Sequence, residues 1–450
     1  MWVLTIIISL VTPDTLLALL MLGLNYALGM TMIILFCKKD NIKEMIKLYI
    51  NIVSIYFLYT VFCNLIRIYN NWEFIGSWDG NEVYVPYALH FADDYSIKEI
   101  VLEILEYKRY QQIGSMILFY TIPVSIAFLT NSNIHYAMQL SLIGLTALNA
   151  VIFFHLLIRF DVSKKRVLVF SYIFALLGPC FLQCNYIVRD MPITLAVSCI
   201  IYLSFLPFSI KNLFYMLLCI LVIASLRLAT AICVSVLIIG YIVYEIASSS
   251  NIGKRSVLLI ISLGILLFVF RYWPYAQELA NEKIKYYDTL ELNDQSGQST
   301  LSMFNRLPFG ISHIAKSVYD QLTPCPSWRN LSASTRKECY NIYRWPEILT
   351  TYTKYITLAF LTYFTFFSLA SVKGLLKNKV FLLNILFACI FLCLQSMTMG
   401  DRRKMGVYVV FYLMAVYGWE HLQKEKKVFI LLSGSAAFFI AQCVGIVFMG

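Results

Sequence analysis

Apolar runs of about twenty residues, parted by short polar stretches, recur along the whole 450-residue chain. A helix that crosses a bilayer needs roughly 20 apolar residues. The pattern therefore predicts an all-α, polytopic membrane protein with about 12 transmembrane helices. Spans are read near residues 2–36, with a bend at Pro13, and near 48–68, 137–158, 167–187, 191–208, 213–226 and 228–246. Further spans are read near 256–273, 351–372, 379–399, 405–421 and 428–448.

Basic clusters orient these spans. Lys38, Lys39, Lys43 and Lys47 form one; Arg159, Lys164, Lys165 and Arg166 another; Lys254 with Arg255, Lys373 with Lys377 and Lys379, and Lys424 with Lys426 and Lys427 follow. The positive-inside bias assigns them to the cytoplasm. Left outside are 70–136, the turn at Arg189-Asp190, the break at Arg227, the loop 274–350, and the turn Asp401-Arg402-Arg403-Lys404. Residues 111–130 are apolar enough to span, but a crossing there would reverse every later loop. Residues 97–110 and 111–130 are therefore expected to be helices lying along the outer face of one large first external loop, with a crossing hairpin as the alternative. The chain divides into an N-terminal transmembrane module, 1–273, an external loop subdomain, 274–350, and C-terminal transmembrane helices, 351–450.

Composition sharpens the class. The chain is 60% apolar, 16% aromatic and only 14% charged, and a cytosolic enzyme is excluded by such values. The net charge of +11 falls in short clusters between apolar runs, so it signals membrane orientation and no nucleic-acid partner. Most of the twelve cysteines lie in or beside apolar runs, as small core residues do. Cys325 and Cys339 form the one pair in a long polar segment, and a disulfide is expected if that segment faces an oxidising compartment. The apolar N-terminus lacks the basic region and cleavage site of a signal peptide and is expected to be retained.

Signatures of soluble enzymes are missing. There is no phosphate-binding glycine loop, no dinucleotide fingerprint and no His-Glu-x-x-His, and His90, His135, His155, His313 and His421 lack metal-ligand spacing. Charge held at the outer face remains. Trp78-Asp79-Gly80-Asn81-Glu82-Val83-Tyr84 places two carboxylates in the first external loop, where partial desolvation suits a general base. Solvated loop acids are the plainer alternative. Arg189-Asp190 and the lone Arg227 lie within apolar sequence, where charge is costly and is read as functional. An arginine there can hold a lipid phosphate through two parallel hydrogen bonds, or can simply pair with Asp190. Arg402 and Arg403 stand on the side that the charge bias depletes of bases, which suits a phosphate or pyrophosphate, or anionic headgroups. In the large loop, Arg306 and the Pro324-Cys-Pro-Ser-Trp328 run form a candidate platform for sugar rings, or ordinary loop packing.

This arrangement resembles the GT-C fold of multi-span glycosyltransferases that use polyprenyl-linked sugars. That family has an acidic motif near a Tyr in its first external loop, two juxtamembrane helices in that loop, and a second external turn carrying another acid. Asp79, Glu82 and Tyr84 match the first, residues 97–130 the second, and Arg189-Asp190 the third. The late GDRRKMGVYVV is similar to a motif of bacterial surface-polysaccharide members, the O-antigen and capsule polymerases. Here Gly80 and Asn81 separate the two acids, which are usually adjacent, and an extra span precedes the module.

The resemblance implies an enzyme of the bacterial inner membrane with its active face periplasmic. It would take a sugar or oligosaccharide from an undecaprenyl phosphate or diphosphate donor and pass it to a glycan acceptor, in O-antigen or capsule assembly. Asp79 or Glu82 would activate the acceptor; Arg189, Arg227, Arg402 and Arg403 would hold the lipid phosphate; Tyr84, Arg306 and Trp328 would bind substrate. Asp190 would orient an arginine or help hold a divalent cation (Mg or Mn) if one is used. Membrane lipids and other components of a polysaccharide-assembly complex are the expected partners. The rival functions are a transporter or flippase of lipid-linked oligosaccharide and a non-catalytic component of such a complex.

Overall fold

The computed structural model describes residues 14–37, 41–69, 80–94, 114–176, 186–249, 251–293, 377–395 and 401–449 as continuous stretches, with scattered positions elsewhere. Among them every regular element is helical. The first part comprises α1 (Thr15–Phe36), α2 (Ile42–Tyr69), a π-helical turn (Gly80–Tyr84), α3 (Val85–Asp94), α4 (Gly114–Leu129), α5 (Ile134–Ser141), α6 (Ile143–Arg159) and α7 (Lys164–Leu176). Then come α8 (Asp190–Ser204), α9 (Ile210–Leu226), α10 (Leu228–Ser248), α11 (Ile252–Asn293), α12 (Lys379–Gln395), α13 (Asp401–His421) and α14 (Lys424–Met449). In hydrocarbon the backbone must satisfy its own polar groups, so apolar runs of this length fold as helices.

Among the described residues, five segments are long and apolar enough to cross a membrane: Thr15–Phe36, Ile42–Leu65, Ile134–Arg159, Leu228–Ser248 and Arg255–Pro274. Ser115–Leu129, Asp190–Ser204, Ile210–Leu226 and Lys379–Cys393 are apolar but shorter. The protein is thus a helical membrane protein whose spans differ in length. The span expected at 351–372 lies outside the described residues, as do Arg306, Trp328, Cys325 and Cys339 in the large loop.

Several boundaries depart from expectation. The first run breaks ahead of Thr15, whose hydroxyl donates to the Thr12 carbonyl at 2.6 Å, so only its second part is the long helix. The span read at 137–158 begins earlier, at Ile134, and has a joint at Leu142. Residues 401–404 form the first turn of α13 where a connecting turn is expected, and α11 continues through Pro274 to Asn293.

The helix read at residues 111–130, α4, buries one face and leaves another open: Met116, Ile117, Tyr120, Val124 and Ala127 are buried, whereas Ile122, Phe128 and Leu129 are exposed. It forms a hairpin with α5 and packs on α3 and α9.

One end of the bundle has a common floor. Phe160, just past α6, lies 5.2 Å from Phe205, just past α8, and both rings meet Phe381 of α12 at 5.9 Å. Fully buried Asn384 of α12 donates to the Ser204 hydroxyl at 2.9 Å, pinning α12 to the end of α8. Exposed Lys164, Lys165, Lys424 and Lys426 surround this floor, and Arg166 pairs with Glu420. At this end of the bundle the chain therefore has both exposed bases and aromatic anchors.

Asn25 ties α1 to α5 and α6. Its amide nitrogen donates to the carbonyls of Met21 and Leu140, at 2.7 and 3.0 Å, and its Oδ1 accepts from the Gly144 N–H at 2.7 Å. Tyr49 of α2 donates its hydroxyl to the Asn25 carbonyl at 2.7 Å. A Cβ on Gly144 would lie 2.5 Å from Asn25 Oδ1 and 2.8 Å from the Tyr49 hydroxyl, so this crossing requires glycine.

Candidate functional site

Two interruptions in the helical path build the site. Arg189 is the residue before α8, and Arg227 is the extended joint between α9 and α10, with φ −159° and ψ 96°. Each interruption leaves helix-end groups in need of partners. Arg189 supplies one, donating from Nη1 to the Leu226 carbonyl at 2.7 Å and so closing the end of α9. Arg227 Nη2 donates to Asp190 Oδ1 at 2.6 Å, with Asp190 only 2% exposed and Arg227 13%. The sequence-predicted residues Arg189, Asp190 and Arg227 therefore come together as one group.

The depth of this group follows from helix lengths. From the Phe160–Phe205–Phe381 floor, the 15 residues of α8 rise about 22 Å at 1.5 Å per residue. The 17 residues of α9 reach about 25 Å, and Tyr241 of α10 stands 6.5 Å from Phe208 at the same floor. The neighbouring α5–α6 arm covers 26 residues, or about 39 Å. The arginine group thus lies short of the far end of the neighbouring α5–α6 arm.

The segment that follows α2 reaches the same place. Tyr84, the last residue of the π-helical turn, is buried, with its ring 5.6 Å from that of Tyr120 on α4. The Tyr120 hydroxyl donates to the Val188 carbonyl at 3.2 Å, and the phenol interacts electrostatically with Asp190. Lower on α4, Ser115 donates to the carbonyl and to the hydroxyl of Ser225, at 3.2 and 2.9 Å, two residues before Arg227. The backbone of Glu82 lies in the π-helical turn, two residues from Tyr84; its side chain and the whole of Asp79 lie outside the described residues.

Arg402 and Arg403 are placed by their backbone alone. Gly406 approaches Val197 of α8 so closely that a Cβ would stand 3.1 Å from it. Arg402 and Arg403 precede Gly406 by about one turn and Asp190 precedes Val197 by about two, so the starts of α13 and α8 lie at neighbouring levels. Their side chains lie outside the described residues.

Sequence reasoning overlooked Tyr120 and Ser115. Inside an apolar run only the residue types themselves hint at them, and the partners come from the π-helical turn, α9 and the loop before α8. Among the described residues no group of three His, Cys, Asp or Glu side chains is arranged to hold a metal ion. The group holds two guanidiniums and one carboxylate in a largely buried setting, where charge-assisted hydrogen bonds are strong. The chain matches no family model, no curated protein and no solved structure.

Proposed function

We propose that the protein is an integral membrane glycosyltransferase that uses a polyprenyl-phosphate-linked or polyprenyl-diphosphate-linked sugar at the outer face. The observation that carries this reading is the Tyr84–Tyr120–Val188 link, which joins the acidic segment of the first loop to the Arg189–Asp190–Arg227 group. A transferase of this kind needs a base for the acceptor hydroxyl beside cations that stabilise the departing phosphate. Asp79 or Glu82 is assigned the first role, Arg189 and Arg227 the second, and Asp190 holds Arg227 in place. Arg402 and Arg403 stand at a level from which they too can serve the phosphate. Assembly of O-antigen or capsule in a bacterial inner membrane is the setting that the sequence resemblance suggests.

A transporter of lipid-linked glycan is the second reading, favoured by the helix break at Arg227, since broken helices mark substrate sites in transporters. One experiment separates the two. Purified protein given lipid-linked donor and acceptor is expected to form a new glycosidic bond. Asp79→Asn combined with Glu82→Gln is expected to lower the rate by about two orders of magnitude or more while insertion is retained. Full transfer in that double variant would remove the base assignment; translocation without bond formation in the wild type would favour the transporter.

A further inference from the structure

Thr230 stands one turn into α10, is 1% exposed, and its hydroxyl has no hydrogen-bond partner among the described residues. A threonine inside a helix ordinarily returns its hydroxyl to the carbonyl three or four positions back. Here neither bond is made. The carbonyl of Leu226, four back, lies across the break and accepts from Arg189; that of Arg227, three back, accepts from the Ala231 N–H at 3.1 Å. A buried hydroxyl left in this condition is unfavourable, and such a group calls for an explanation.

Its surroundings supply one. The 21-residue helix α10 starts at Leu228 with no side chain capping its first turn. The N–H groups of that turn and the positive end of the helix dipole attract an anion. The Arg227 guanidinium stands at the same turn and is held by Asp190 through one nitrogen, Nη2. Helix α8 likewise starts at Asp190 with no side-chain cap from Arg189. Arg227, the start of α10 and an idle buried hydroxyl thus fall within one turn of chain, and the Arg227–Asp190 pair ties that turn to the start of α8.

We propose that the first turn of α10 is a phosphate seat: a phosphate oxyanion accepts from the Thr230 hydroxyl, from the α10 N–H groups and from Arg227. The proposal deepens the transferase reading by naming what holds the donor's phosphate, and it rests on that reading only for the lipid as the source of the phosphate.

The test uses the full-length protein in nanodiscs, with two probes, inorganic phosphate and polyprenyl monophosphate, and binding as the readout. Thr230→Val keeps the shape and removes the hydroxyl; Thr230→Ser keeps the hydroxyl. Polyprenyl monophosphate is expected to bind the valine variant about tenfold more weakly than wild type, and the serine variant within about twofold. Without ligand, Thr230→Val is expected to melt no lower than wild type, because an unpartnered buried hydroxyl has been removed; a structural hydroxyl would give the opposite sign. If inorganic phosphate alone shows this dependence on Thr230, the seat stands and its source is soluble phosphate. If both probes bind Thr230→Val as they bind wild type, the proposal is overturned. Binding that depends on Thr230 in a protein without transfer activity would keep the seat and remove the transferase.

Discussion

At Asp190 a carboxylate almost sealed from solvent meets the Arg227 guanidinium at 2.6 Å. A pair of this kind adds little net stability when intact, yet removing one partner leaves a charge in a low-dielectric interior. Arg227→Ala is therefore expected to destabilise the protein by about 3–5 kcal/mol, read by denaturant unfolding in detergent. Replacing both residues by apolar ones, as in Arg227→Met with Asp190→Leu, is expected to restore most of that loss while phosphate binding stays abolished. A double variant as unstable as the single one would mean that Arg227 matters for packing more than for charge. Arg189 differs from Arg227 in its partner: it satisfies a carbonyl that the break orphaned, so Arg189→Lys can retain that bond where Arg189→Ala cannot.

Among the helices, α4 is held by partners that lie far off in the chain. The hairpin of α4 and α5 turns at residues 130–133, about 39 Å along α5–α6 from the basic floor. A cysteine at Ser132 is accordingly expected to react with a membrane-impermeant maleimide from the outer side, and one at Asp161 only from the cytoplasmic side. Labelling with the two sides exchanged would invert the orientation, and labelling of both from one side would mean that α5–α6 does not cross. Five of the expected spans coincide with helices long and apolar enough to cross, because length and apolar content are local properties: the span expected at 228–246 is α10, Leu228–Ser248. Two kinds of feature were not legible. The packing of α4 depends on partners distant in the chain, such as Val188 for Tyr120 and Ser225 for Ser115. The start of α13 was hidden because Asp401-Arg402-Arg403-Lys404 looks like a loop by charge, although it forms a helix in the structure. The group at Arg227 was legible since a lone charge in some thirty apolar residues is conspicuous, whereas Thr230 beside it looks like any residue of an apolar helix.

For the molecule as a whole, the exposed surface is apolar around its girth. Leu20 and Leu28 on α1, Phe214 and Leu221 on α9, and Ile260 and Leu267 on α11 all face outward, as lipid-facing residues do. Polar interactions that join helices in the interior gather at Asn25, at Asn384 with Ser204, and at the arginine group. The shortness of α8 and α9 has an electrical consequence. If the aromatic floor marks the cytoplasmic edge of a hydrocarbon layer of roughly 30 Å, an anion travelling from the outer surface to Arg227 crosses about a quarter of the membrane. A full crossing by one charge is worth about 2.3 kcal/mol per 100 mV, so a quarter is about 0.6 kcal/mol. An inside-negative potential opposes that entry. In proteoliposomes with the outer face outward, a potassium diffusion potential of about 100 mV is expected to weaken lipid-phosphate binding two- to threefold, and collapsing it with an ionophore to restore the affinity. The resting membrane would thereby set how long a charged headgroup stays in its seat.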